Sequence, residues 1–369
     1  MAQDRTAAAI VGQAGHPGRS PGAGASAHSG PMLGSIQYLR AIAAWLVVVY
    51  HVTASVAAET GTPVTWALGA VGVHIFFVLS GFLMAMIVDR GEPVDGRFLV
   101  RRFIRIAPLY YAMTIVLFVT ALAWPWLLNT VKADWRHLLT SLLFLPSGGI
   151  GGGNQPILML GWTLNYEMTF YLLVFAFVRW GGDRQLNGLA VFLAATVMAG
   201  RWVDDPGMVL RFYTDPVILE FALGIIVYNA TFRGRDGAQK GWLYWLALAA
   251  GVVLLWGRGG GEPQEWRFVV WGMPAALIVA GGVHVFTAHV GWLRRLGDWS
   301  YSTYLLHVYV IQALVKLVLP AAGLPVSSPL CVFLAVAPLV AAGSLFMYRW
   351  LEMPVMAGLG RRIARRPER

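Results

Sequence analysis

Two basic side chains, Arg40 and His51, share one long apolar stretch of this chain. On a helix their spacing of eleven residues amounts to three turns plus about 20°, so both fall on one face, about 16 Å apart along the axis. A charge at the centre of a bilayer costs roughly 2.5–3.5 kcal/mol on insertion scales, so polar groups in such a stretch need a reason. An arginine at the mouth with a histidine deeper in suits an anionic cofactor entering from that side. A buried structural histidine explains His51 equally well.

Other apolar stretches carry chemistry of the same kind. His74 adds a second intramembrane imidazole, in a run where Gly72, Ser80 and Gly81 would let another helix approach closely. Arg102 and Arg105 would share a helix face. Guanidinium forks match phosphate oxygens, although retention of positive charge on one side of a membrane explains such a cluster more economically. Glu167 is an acid inside an apolar helix and would pair with a cation or position a hydroxyl; Glu220 is a second such acid with no evident partner. Ser300, Tyr304 and His307 recur at helical spacing and would form a polar seam, with Asp298 as a helix cap before them. Trp299 and Tyr301 suit an interfacial aromatic belt as well as a site. Glu352 is expected at the cytoplasmic face.

The elements that must position these groups are membrane helices. The chain has 369 residues, of which 57% are hydrophobic and 12% charged, with a mean hydropathy of +0.62. Soluble domains carry about 25% charged residues. A span needs about 20 mostly apolar residues, and ten stretches qualify: 36–56, 67–88, 106–127, 158–179, 186–203, 212–231, 242–257, 268–286, 299–319 and 329–350. The fifth and seventh are short. With the N-terminus cytoplasmic, 21 of the 28 Lys and Arg residues fall on the cytoplasmic side, which predicts an even number of spans with both termini inside. The net charge of +10 lies in short clusters between spans, a topological pattern that argues against nucleic-acid binding.

Residues 1–34, rich in Gly, Ala, Ser and Pro, read as a flexible cytoplasmic tail without a cleavable signal. Residues 35–355 form the transmembrane domain, and 356–369 a basic cytoplasmic tail. The outer loop at about 128–157 is glycine-rich and would serve as a lid or a spacer. One cysteine, Cys331, excludes an internal disulfide and a Cys-based metal site. A transporter accounts for ten helices and buried polar residues equally well, and for the arginine cluster less well.

In order along the chain, the segments resemble the acyltransferase-3 family of membrane O-acyltransferases. The resemblance rests on Ser35-Ile36-Gln37-Tyr38-Leu39-Arg40 through His51, the Phe-Phe-Val-Leu-Ser-Gly-Phe run at 76–82, and Arg102 with Arg105. It continues with Trp162-Thr163-Leu164-Asn165-Tyr166-Glu167, Ser300-Tyr301-Ser302-Thr303-Tyr304-Leu305-Leu306-His307, and the final Glu352-Met353-Pro354. The opening segment and the Trp162–Glu167 element look most like the exopolysaccharide acetyltransferase subgroup. The family usually has an acid where this chain has His74. The resemblance implies acetyl-CoA as acyl donor, no metal, and a hydroxyl of a carbohydrate acceptor, free or lipid-linked. It places His51 at the centre of the chemistry. On that basis Arg40, Arg102 and Arg105 would hold the donor's phosphates, Glu167 would orient a reacting group, and His74, Ser300, Tyr301 and His307 would line the substrate site. No further esterase-like domain is expected.

Overall fold

The computed structural model describes residues 29–64, 67–128, 131–147, 155–181, 185–233, 241–256, 266–326 and 328–364. Most of the expected N-terminal tail and the glycine run at 148–153 lie outside these. The described residues form helices and turns, with no strand among them.

The helices are α1 (Ser29–Thr60), α2 (Val71–Asp89), α3 (Gly96–Ala123), α4 (Trp135–Leu142), α5 (Gly161–Gly181), α6 (Gln185–Gly200), α7 (Gly207–Tyr213), α8 (Leu219–Thr231), α9 (Gly241–Trp256), α10 (Met273–Val285), α11 (Gly291–Asp298), α12 (Ser300–Ala313), α13 (Pro329–Met347) and α14 (Met353–Ala364). A helix occupies each of the ten apolar stretches. Among the described residues, six segments are long and apolar enough to cross a membrane: Met32–Thr60, Ala67–Asp89, Gly96–Ala123, Phe268–Val285, Ser300–Ala321 and Pro329–Gly360. Of the other four, α6, α8 and α9 have 16, 13 and 16 residues, short of the usual span. The fourth, α5, is 21 residues long but is diluted by Asn165, Glu167 and Arg179.

Local sequence sets the helix ends. Asp95 caps α3 by accepting from the Phe98 N–H at 3.0 Å, and Asp134 caps α4 through the N–H groups of Arg136 and His137. Asp298, expected to cap the ninth stretch, lies one residue before the cap position, which Trp299 holds. It is the last residue of α11, and Trp299, whose backbone stays near helical values, leads directly into α12. Three widened π turns, Phe268–Gly272, Leu314–Val318 and Tyr348–Glu352, each end two residues before a proline: Pro274, Pro320 and Pro354. A proline lacks the N–H that would bond four residues back. In each case the residue before it donates five residues back instead: Met273 to Phe268, Leu319 to Leu314, Met353 to Tyr348.

Close backbone approach holds the centre together. A Cβ on Gly81 would lie 2.0 Å from the Phe221 carbonyl oxygen, and one on Gly224 would lie 2.1 Å from that of Val78. Helices α2 and α8 therefore touch through glycine on both sides, as small residues permit where no hydrophobic force joins helices in lipid. A Cβ on Gly72 would meet the Ala43 carbonyl at 2.2 Å, seating α2 against α1. Phe77, Phe170 and Phe221 pack around the α2–α8 contact, with centroids 4.9 and 4.3 Å from Phe221. The expected basic tail is helical as far as Ala364, and α14 packs on α3.

Candidate active site

A cavity of about 550 Å³ opens inside the bundle, between α1, α2, α3, α5 and α12. On α2 it is met by Val73, Phe76, Ser80 and Leu83, spaced three or four residues apart along one face. Arg40, Arg102, Arg105, Glu167, Ser300 and Tyr301 all line it. Four of these helices, α1, α3, α5 and α12, thus bring six of the expected site residues to one space, three arginines and Glu167 among them. Glu92, Arg101 and Met356 mark the end of the cavity beside the loop after α2.

Several polar groups in the wall are fixed by neighbours. Arg40 donates through Nε to Ser300 Oγ at 3.2 Å. The Arg102 guanidinium lies 5.3 Å from the Phe98 ring and 5.6 Å from the Tyr171 ring. Stacking of this kind orients a planar cation while leaving its edge for an anion. Tyr171 in turn donates its hydroxyl to Glu167, one turn back on α5. Ser80 reaches the same carboxylate from α2 at 3.4 Å. Tyr301 donates to the Ile106 carbonyl at 2.6 Å, tying α12 to α3. Glu352, expected at the cytoplasmic surface, is buried and accepts from Ser302 at 2.8 Å.

His51 and His307 sit together beyond this cavity. Their Nδ1 and Nε2 atoms are 3.3 Å apart and their ring centroids 4.9 Å. The lining contributed by α1 stops at Arg40, and that of α12 stops at Tyr304. Carbonyl oxygens fix the tautomers, because a carbonyl only accepts. His307 Nδ1 faces the Thr303 carbonyl at 3.1 Å and therefore carries a proton, which leaves Nε2 of the neutral ring as an acceptor. His51 Nδ1 faces the Val47 carbonyl at 3.0 Å and this His307 acceptor, so it too is protonated. The lone pair of a neutral His51 is therefore on Nε2, the nitrogen needed for a base or nucleophile.

His74 goes elsewhere. It occupies the face of α2 away from the cavity, fully buried, with Nδ1 2.5 Å from Glu220 Oε1 on α8. Its ring stacks on Trp271, and Arg267 Nε lies 3.4 Å from its other nitrogen. The helical phase of α2 carries the explanation: Val73, Phe76 and Ser80 mark the cavity side, and residue 74 is turned away from them. Glu220 thereby gains the partner that the sequence did not reveal.

Tyr171, Phe98, Ser80 and Thr163 are among the wall residues that sequence reasoning did not assign to the site. A signal existed for two of them, since Tyr171 stands four residues after Glu167 and Phe98 four before Arg102, both neighbours on a helix face. Among the described residues no cluster of three or more His, Cys, Asp or Glu could hold a metal ion.

Comparison with known proteins fits this arrangement. The chain is 35% identical over 310 residues to the exopolysaccharide production protein ExoZ of Rhizobium meliloti, covering 81% of this chain and 93% of that one. It is 31% identical over 284 residues to the acyltransferase MdmB of Streptomyces mycarofaciens, covering 66% and 69%. Over 194 residues it is 29% identical to the peptidoglycan O-acetyltransferase OatA of Listeria monocytogenes, covering 48% of this chain and 26% of that one. No solved structure matches. Residues 33–349 match the family described as an acyltransferase domain, and with that extent of agreement the chain belongs to this family of multi-pass acyltransferases.

Proposed function

We propose that the protein moves an acetyl group from acetyl-CoA to a hydroxyl of a cell-surface or exopolysaccharide sugar, free or lipid-linked. The observation that carries this reading is the division of the bundle into a cationic cavity and an imidazole pair, joined by one face of α1. Arg40, Arg102 and Arg105 supply the charge that a donor rich in phosphate needs, and the likeness to ExoZ and OatA supports a polysaccharide acceptor. In this reading the chain has ten spans in a bacterial inner membrane, with both termini and the arginine end on the cytoplasmic side.

In the chemical step His51 Nε2 takes the proton of the sugar hydroxyl as its oxygen attacks the thioester carbonyl. The carbon–sulfur bond breaks, and the departing thiolate takes the proton back from the imidazolium. The Val47 carbonyl and His307 hold the proton on Nδ1, so the ring presents the correct nitrogen throughout. In a two-stage form the same nitrogen carries the acetyl group between donor and acceptor. Glu167, tied to Tyr171 and Ser80, orients groups at the cavity wall.

The test uses membranes containing the full chain, acetyl-labelled acetyl-CoA and lipid-linked surface glycans. Label should enter glycan with the wild type and fall to background with His51→Ala at matched expression. Equal labelling by both would remove His51 from the chemistry. Absence of labelling by either, across several donors and acceptors, would remove the acetyltransferase reading.

A further inference from the structure

The stretch between α3 and α5 does not stay outside the bundle. Trp135, at the start of α4, packs on Phe118 of α3 with ring centroids 4.7 Å apart. Seven residues on, the Leu142 carbonyl accepts from the hydroxyl of Tyr111, seven residues back along α3, at 2.6 Å. Phe144 then lies 5.2 Å from the Tyr110 ring and 6.4 Å from that of Phe103. Steps forward on α4 match steps back on α3, so α4 descends antiparallel beside it. The depth reached follows from α3, which is long and apolar enough to span a membrane. Exposed Trp124 and Trp126 mark the end of α3 at Ala123, as an aromatic belt does. Tyr110 stands about 20 Å along the axis from Ala123. A hydrocarbon core is about 30 Å thick, so Phe144 lies past its middle.

A chain that turns at such depth must satisfy its own backbone. Here it does. Phe144 adopts φ 57°, and its N–H donates to the Ser141 carbonyl at 3.1 Å while the Leu145 N–H donates to that of Thr140 at 3.0 Å. These paired bonds close a helix end, with Phe144 where glycine is usual. The Tyr110 and Tyr111 hydroxyls donate to the carbonyls of Ser141 and Leu142. Residues 155–160 lie alongside α4: the Gln155 carbonyl accepts from His137 Nε2 at 2.9 Å, and the Ile157 N–H donates to Ser141 Oγ at 3.0 Å. Ile157, Leu158 and Leu160 are buried, and α5 begins with Gly161 against the Tyr110 side chain.

We infer that residues 135–146 form a re-entrant element sunk in the bilayer, and that Trp135, Leu139 and Leu143 contact the acyl chains of its lipids. The three are spaced four apart on one helix face and are 68%, 59% and 56% exposed. On the other side of α4, Leu138 packs with Phe118 and Ile157. Beside α4, α3 is exposed in the same way at Ile115, Val119 and Leu122, as a lipid-facing surface is. An exposed tryptophan and two leucines at hydrocarbon depth fit lipid tails and no polar partner. The stretch expected as a lid or spacer thus belongs to the wall of the bundle. Its inner end reaches the cavity, where the Leu160 carbonyl accepts from Tyr304 at 3.3 Å. The inference holds whatever group the site transfers.

The experiment uses the full chain in phosphatidylcholine liposomes. Cys331→Ser removes its single cysteine, and Leu139→Cys and Leu143→Cys are then added one at a time and labelled with a nitroxide. Collision rates with oxygen, which concentrates in lipid, and with a water-soluble nickel chelate give the depth of each label. Oxygen should prevail at both positions, and the label at position 143 should read deeper by about 6 Å, the rise of four helical residues. If Leu143→Cys does not accumulate, Trp135→Cys with Leu139→Cys reads the same slope. Prevalence of the nickel chelate at both positions overturns the inference in favour of a water-facing loop. Equal depths overturn it in favour of a helix lying flat on the membrane surface.

Discussion

His307 Nε2 faces His51 Nδ1 at 3.3 Å, across two helices whose sequence positions are 256 apart. Because His307 is locked to the Thr303 carbonyl, its free lone pair can only accept, and it steadies the proton on His51. The same contact would share the positive charge that develops on His51 when it takes a proton. His307→Ala is therefore expected to lower kcat on the order of 10- to 100-fold, below most of the roughly 100- to 10,000-fold that a general base itself contributes, because His307 acts through His51. It should also displace the pH–rate profile and leave KM for acetyl-CoA nearly unchanged. A purely structural role for His307 would lower the amount of folded protein without moving that profile.

Arg102 tests the other end of the site. Lysine keeps the charge but loses both the planar stacking between Phe98 and Tyr171 and the forked donors. A hydrogen bond to a charged group contributes about 1.5–3 kcal/mol, and 1.4 kcal/mol is tenfold in affinity. Arg102→Lys should raise KM for acetyl-CoA by roughly tenfold with little change in kcat, measured by initial rates at varied donor.

His74 and Glu220 predict a stability effect with a particular pattern. Removing one member of a buried pair leaves an uncompensated polar group and costs about 3–5 kcal/mol, whereas replacing both with apolar residues is often close to neutral. His74→Phe should lower the thermal denaturation midpoint in detergent sharply. The double variant His74→Phe with Glu220→Leu should recover most of the loss. If the double variant is no better than the single, the pair has a further role.

Glycine at the α2–α8 crossing gives a fourth prediction. Gly81→Ala would place a methyl group 2.0 Å from a backbone oxygen, so the helices must separate and the monodisperse peak on size exclusion in detergent should shrink or vanish. Gly96, at the start of α3, has open space within 4 Å. Gly96→Ala should therefore behave as wild type in the same assay.

Much of this molecule can be read from residue type and spacing. The apolar stretches locate the helices, because length and hydropathy are properties of each segment alone. The equal phase of Arg40 and His51 on α1, and the seam of Ser300, Tyr304 and His307 on α12, follow from helical geometry. These three seam residues meet Arg40, Thr163 and His51 respectively. What the sequence leaves open depends on contacts between distant segments. Nothing in residues 71–89 says that His74 will meet Glu220, 146 positions away. Nor does any local pattern place Phe76 beside Tyr304. Asp298 had a capping residue's chemistry but not its position, because α11 runs almost unbroken into α12.

Arg40 and His51 stand on one face of a continuous helix, and this turns α1 into a measuring rod. The rise between them, about 16 Å, is fixed by the geometry of the helix backbone and not by the surrounding packing. In the proposed reading, a donor gripped at the arginines delivers its thioester to the imidazole only if its arm spans that rise. Acetyl phosphate held at the same arginines would fall short of it.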